Sequence, residues 1–172
     1  MPDLVEAAVE DDRWHDAGLE EMAETACAAT LAELGIPAEG VEIGLLGCDD
    51  ARIAALNAGF RGRAQPTNVL SWPAAERAAP EDGALPALPG PAPAAAAAGP
   101  MPEALGDIAI AFDTCAREAA AQGKPFRDHC LHLLVHGCLH LLGFDHMRPK
   151  DAALMEGLEL RILARLGVPD PY

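Results

Sequence analysis

His136, His140 and His146 are the residues of this sequence whose types and spacing point most directly to chemistry. They lie in the string His136-Gly137-Cys138-Leu139-His140-Leu141-Leu142-Gly143-Phe144-Asp145-His146. Residues four apart on a helix project from one face, so the first two imidazoles converge. Gly143 stands where a helix can stop on a left-handed residue. The chain can then turn back and bring His146 to the same point. Three neutral imidazoles around one point suit Zn²⁺ and leave a fourth position for water or substrate. Such an open site is catalytic in type, because the metal lowers the pKa of a bound water to about 7. The spacing is that of the H-E-x-x-H-x-x-G-x-x-H zinc proteases, with Gly137 in place of the glutamate. That glutamate is the protease's general base, so its absence argues for a similar metal cradle with different chemistry. The plain alternative is a set of surface or core histidines on an ordinary helix.

Other side chains could serve the same cleft. His129, His132, His136 and His140 fall within one narrow helical stripe. His132, one turn before His136, could line the cleft, touch phosphate or orient a ligand; a solvated helix face is the alternative. His129 has the weaker case. Asp145 could accept a hydrogen bond from a ligand imidazole, or cap its own turn. Cys138 points away from both helical histidines and reads as core. Arg61 and Arg63 sit in a polar loop, Phe60 to Asn68, and offer planar donor forks that suit phosphate oxygens. Thr67 and Asn68 could add neutral hydrogen bonds there. Solvated surface arginines are the alternative reading.

The elements that must position these residues can be read from periodicity and punctuation. Asp16 can cap a helix reaching about Leu34, with an apolar stripe of Leu19, Met22, Cys27, Leu31 and Leu34. Val41 to Leu46 alternates like a strand. Asp49 can cap a short helix to about Asn57. Val69 to Trp72 reads as a strand stopped by Pro73, and Leu105 to Ala111 as another. Asp113 can cap a helix ending near Gly123. A longer helix runs from about Pro125 to Leu142, and a last one from about Lys150 to Leu166. The expectation is an α+β fold: a small mixed β-sheet of about four strands packed by about five helices, with a zincin-like metal site on a helix and the following turn. One hydrolase domain over residues 1–172 is expected, with a low-complexity, Ala/Pro-rich surface insertion at about 78–102. Sixteen of the nineteen residues at 84–102 are Ala, Pro or Gly, so a mobile segment that contributes no core is expected there.

Composition narrows the function classes. The chain has 172 residues, enough for one real core, and 51% of them are hydrophobic. No long uncharged apolar stretch predicts a membrane span, and the acidic N-terminus does not read as a secretory signal. Five cysteines without a CxxC pair argue against a disulfide framework and favour a reducing cytoplasm. A net charge of −15 argues against nucleic-acid binding by a broad basic field.

Together these segments resemble the YbeY family of bacterial endoribonucleases and rRNA maturation factors. The resemblance rests on Phe60–Pro73 (FRGRAQPTNVLSWP), Leu105–Ala111 (LGDIAIA), Gly123–His146 and the final Leu166–Tyr172 (LGVPDPY). It implies a zinc ion held by His136, His140 and His146, and a functional arginine at Arg61. It implies single-stranded RNA as substrate, small-subunit rRNA 3′-end maturation, a role in ribosome quality control, and the ribosome or a ribosome-associated protein as partner. On this reading the zinc polarises a phosphate oxygen or activates water, with His136 as a ligand and Arg61 stabilising the developing charge. The general base stays open between zinc-activated water, His132 and the RNA 2′-hydroxyl. Two rivals stand beside it: a zinc hydrolase of another substrate class, and a non-enzymatic ribosome-assembly factor with a structural zinc. Lys124 and Arg127 are expected to join Arg61 and Arg63 in one locally basic cleft on an acidic body.

Overall fold

A helix whose apolar residues cover most of its circumference has to be buried over most of it, and the segment carrying the histidines is one. In the computed structural model, which describes residues 4–62, 65–89 and 102–172 (Phe60 and Arg61 by their backbone alone), it spans Phe126–Leu141. Ten of its sixteen residues are buried, so the rest of the chain must wrap it. In chain order the elements are β1 (Val5–Val9), α1 (Arg13–Ala17), α2 (Leu19–Leu34), β2 (Val41–Cys48), α3 (Asp50–Arg61), β3 (Val69–Pro73), β4 (Glu103–Ala111), α4 (Phe112–Gln122), α5 (Phe126–Leu141) and α6 (Pro149–Arg165). The sheet order is β1-β2-β4-β3. The first three strands of that order run parallel, and β3 pairs antiparallel with β4 at the edge. This is the small mixed α+β sheet that the sequence predicts.

Alternation on β2 turns Val41, Ile43 and Leu45 into the main core, against α2, α5 and α6. The opposite face of the sheet meets α3, through Cys48, Ile53, Leu70, Ala109 and Ala111. On β4, Ile108 and Ile110 face the main core, and so does Leu105, although it is out of phase with them. A register shift restores the pattern: Glu42 pairs with Ala104 and Ile43 with Gly106, leaving Leu105 as a bulge. Gly106 takes a φ of 135° there, and an added Cβ would lie 2.1 Å from the Trp72 carbonyl oxygen. Only glycine lets β3 close on β4 at that point.

Several expectations are corrected. Asp16 caps nothing; it lies inside the short extra helix α1, which ends at Gly18. The break brings Trp14 to full burial, where its Nε1–H donates to the Cys48 carbonyl at 3.0 Å. The strand β1, which the sequence pattern left unplaced, supplies the fourth member of the sheet. Asp49 does cap α3, accepting from the Arg52 N–H at 2.8 Å, but the helix runs on to Arg61. The expected polar loop is therefore helical at its start. Asp113 sits in the first turn of α4 instead of capping it, and accepts from Arg13 at 2.7 Å. All five cysteines are free and buried. Among the described residues no helix is long and apolar enough to cross a membrane.

The Ala/Pro-rich segment divides. Residues 90–101 lie outside the described residues. The part before them is not a bare appendage: Pro86 is buried, Leu88 packs on the core, and the Ala87 N–H donates to the Arg77 carbonyl at 2.8 Å. Two apolar side chains in a run of small residues are enough to dock it.

Candidate metal centre

α5 ends just after His140, and Gly143, with φ 100°, turns the chain back toward the helix. The turn is held by the Phe144 N–H on the Leu139 carbonyl at 3.1 Å and by the burial of Phe144. It delivers His146 to the two helical histidines. One ring nitrogen from each of His136, His140 and His146 lies within 4.8 Å of the others, a group that could hold a metal ion. The ring centroids are 4.5, 5.3 and 5.2 Å apart.

The donor chemistry fits a cation. His136 Nδ1 lies 2.5 Å from Glu159 Oε1 on α6. A carboxylate only accepts, so Nδ1 carries the hydrogen and the Nε2 lone pair is left free. That Nε2 stands 3.0 Å from His140 Nε2. Two nitrogens bound to one tetrahedral zinc at its usual bond length lie about 3.3 Å apart. Burial, reinforced by the neighbouring His136 and His146, lowers the His140 pKa to about 4, so the ring is neutral and ready to ligate at pH 7. Glu159 is fully buried. Burial pushes its pKa up, but the imidazoles of His132 and His136 and the Tyr172 hydroxyl outweigh that and hold it at about 2.

A pH prediction follows for the metal-free chain. His140 in the folded state binds its proton only near pH 4, whereas an unfolded histidine does so near 6.5. Between those values the unfolded chain carries more protons, so stability is present above about pH 6.5 and is lost as the pH falls toward 4. The loss from this group is about 3 kcal/mol at most. Urea midpoints measured from pH 7.5 to 4 should fall over that window. A His140→Gln variant should show a flatter profile.

One of the three histidines, His140, lines a cleft of about 400 Å³ between the α5–α6 turn and the segment after β3, with Glu76, Arg77 and Asp145 also on its walls. Arg77, unmarked by the sequence pattern, is nine-tenths buried; it pairs with Glu103 at 3.1 Å and donates to the Ala87 carbonyl at 3.0 Å. Gly137, at the position of the protease glutamate, faces the sheet: an added Cβ would lie 3.2 Å from Ile108 Cδ1. Helix and sheet are too close there for a longer side chain.

The remaining candidates scatter. Asp145 takes the turn-capping alternative, accepting from the His146 N–H at 2.7 Å. The carboxylate on a ligand imidazole is Glu159 instead. His132 is largely buried, with Nε2 3.6 Å from Glu159 Oε2 and its ring edge-on to Tyr172 at 5.5 Å. His129 is buried on Glu118 at 2.9 Å, away from the cleft. Asn68 also serves Glu118, at 3.0 Å, and so ties β3 to α4. Cys138 is core, as expected. The backbone of Arg61 closes α3; Arg63 and the Arg61 side chain lie outside what is described. Lys124 and Arg127 do not form a basic cleft: Lys124 donates to the Pro171 carbonyl at 2.8 Å, and Arg127 forks onto Glu21 of α2 at 2.7 and 3.0 Å. The sequence reading missed Glu159, Tyr172 and Arg77. Glu159 had a signal: it occupies the buried stripe of α6 with Met155, Leu158, Ile162 and Leu163, where a carboxylate has to be paired.

Known proteins resemble the chain over nearly its whole length. The family model described as Endoribonuclease YbeY matches residues 5–167. A protein named Endoribonuclease YbeY from Cereibacter sphaeroides is 57% identical over 172 residues, the whole of both chains. One of the same name from Ruegeria pomeroyi is 57% identical over 168 residues, covering 98% of this chain and 97% of that protein. The solution structure of TM1509 from Thermotoga maritima superposes with a TM-score of 0.54 at 18% identity, over 95% of this chain and 91% of that one.

Proposed function

Because the chain belongs to the Endoribonuclease YbeY family, we propose that it is a zinc-dependent, single-strand-specific endoribonuclease acting in rRNA processing. Its place would be small-subunit rRNA 3′-end maturation and ribosome quality control in the cytoplasm, with the ribosome or a ribosome-associated protein as partner. The observation that carries this reading is the convergence of His136, His140 and His146, with His140 on the wall of a cleft. With three protein ligands the set is of the open, catalytic kind.

His136, His140 and His146 hold the zinc, which when bound supplies Lewis acidity toward a phosphate oxygen and acidifies a water. Arg61, at the end of α3, stabilises charge developing on the phosphoryl oxygens, with Arg63 beside it. Arg77 lines the cleft but is paired with Glu103, so it shapes the wall, and the positive charge toward the phosphate is left to Arg61 and Arg63. The whole chain is read as a single hydrolase domain, to which the Ala/Pro-rich segment is an addition. A peptidase is the weaker reading, since Gly137 stands in the place of the glutamate base and faces Ile108 of the core.

Purified protein incubated with defined single-stranded and duplex RNA tests this. Cleavage is expected of the single strand only, is lost with a chelator and returns with Zn²⁺. Intact single-stranded RNA in the presence of zinc-loaded protein would refute the enzymatic reading. In cells depleted of the protein, small-subunit rRNA with unprocessed 3′ ends should accumulate.

A further inference from the structure

An ionised carboxylate with no exposure costs several kcal/mol unless its oxygens are well partnered. Both oxygens of Glu159 are partnered. Oε1 receives the His136 Nδ1–H at 2.5 Å. Oε2 accepts from the Tyr172 hydroxyl and lies 3.6 Å from His132 Nε2. Tyr172 is reached by the segment beyond α6, which is pinned by Val168 in the core and by Lys124 Nζ on the Pro171 carbonyl at 2.8 Å. The Tyr172 residue itself is 65% exposed, so little of the core depends on it.

We propose that Glu159 and Tyr172 are positioning residues for His136: Tyr172 fixes the carboxylate, and the carboxylate fixes the ring and its tautomer. The role rests on reading the three histidines as the metal site. The order of events is set by hydrogen bonding. A hydrogen held on Nδ1 leaves Nε2 as the lone pair that points at His140. Without an acceptor at Oε1 the hydrogen is free to move to Nε2, and that protonated nitrogen cannot ligate. Tyr172 donates to Oε2 and so holds the carboxylate with Oε1 turned to His136. The segment after α6, far in sequence from the histidines, thereby sets the affinity of the site.

The test uses the full chain with Tyr172→Phe, Glu159→Leu, Glu159→Gln and the Tyr172→Phe/Glu159→Leu double variant. Two quantities are read: Zn²⁺ affinity by chelator competition, and the imidazole nitrogen resonances of His136 in metal-free protein. Loss of a carboxylate behind a ligand histidine typically costs roughly 10–100-fold in metal affinity, and Glu159→Leu is expected in that range. Glu159→Gln keeps an acceptor oxygen and should recover part of the loss. Tyr172→Phe should weaken binding several-fold alone, and add nothing in the Glu159→Leu background, because its effect passes through the carboxylate. Wild-type His136 should carry its hydrogen on Nδ1, and Glu159→Leu should shift it toward Nε2. A purely structural role would lower the melting temperature and leave both readouts unchanged; that result, or an Nε2–H tautomer in the wild type, overturns the proposal. Should Glu159→Leu not fold, Tyr172→Phe alone decides by the same criteria. Should the wild type bind no Zn²⁺, the metal reading fails by itself, while the nitrogen resonances still judge the positioning role.

Discussion

Replacing His140 with alanine is expected to remove stoichiometric zinc and to lower cleavage of single-stranded RNA by at least about 1000-fold, since a bound ion's charge stabilisation is worth several kcal/mol and each 1.4 is tenfold. The fold should survive, because the His140 side chain pairs with His136 Nε2 and its removal leaves no buried charge without a partner. Metal-free His140→Ala should therefore melt within a few degrees of the wild type, as followed by circular dichroism. His136→Ala is the less clean choice. It removes the hydrogen-bond donor from the buried Oε1 of Glu159. Breaking one side of such a pair typically costs about 3–5 kcal/mol. Lost activity in that variant would mix lost metal with lost stability. Wild-type cleavage rates in zinc-free His140→Ala would rule out the metal mechanism.

The second large effect is expected at Gly143→Ala. The φ of 100° is one that residues with a Cβ rarely adopt, and the Cβ itself would lie 2.8 Å from Arg77 Cβ and 2.8 Å from Pro86 Cβ. Neither neighbour is a flexible tip, so the segment after β3 has to lift from the turn. Backbone strain and overpacking each cost about 1–3 kcal/mol, so a total loss of roughly 2–6 kcal/mol in urea denaturation is expected. The turn that would deform also carries His146, so zinc affinity should drop by an order of magnitude or more. Gly123→Ala is the matched control: φ is 65° and nothing lies within 4 Å of the added Cβ. It should cost only the left-handed backbone term of about 1–2 kcal/mol and leave zinc affinity unchanged. Equal effects at the two positions would show that the packing of Arg77 and Pro86 on the turn is immaterial.

Much of the site could be read from local spacing alone. His136 and His140 share a face in any α-helix, and Gly143 marks the turn that returns His146. The apolar stripes of α2 and α5, the cap at Asp49 and the strands at β2, β3 and β4 are likewise short-range consequences of periodicity and punctuation. Failures came where several local patterns compete. Asp16 and Asp113 are good capping residue types, yet the helices begin elsewhere because Trp14 and the strand end at Ala111 take precedence in packing.

What the sequence determined by itself is therefore the candidate metal cradle and the class of fold that carries it, because both follow from side-chain periods of two and 3.6 residues. Only the tertiary structure decided what stands behind and around that cradle. Glu159 is 23 residues from His136 in sequence, and its pairing depends on how α6 lies against α5. The same holds for the cations. Lys124 and Arg127 seemed available for RNA by charge and proximity to the motif, but Pro171 and Glu21, 47 and 106 residues away, hold them. Arg77 takes the cleft wall because the segment after β3 folds over Gly143. The physical reason is common to all three. A ligand spacing is a property of one helix and its turn, whereas a charged side chain is held by whichever distant element brings a partner to it.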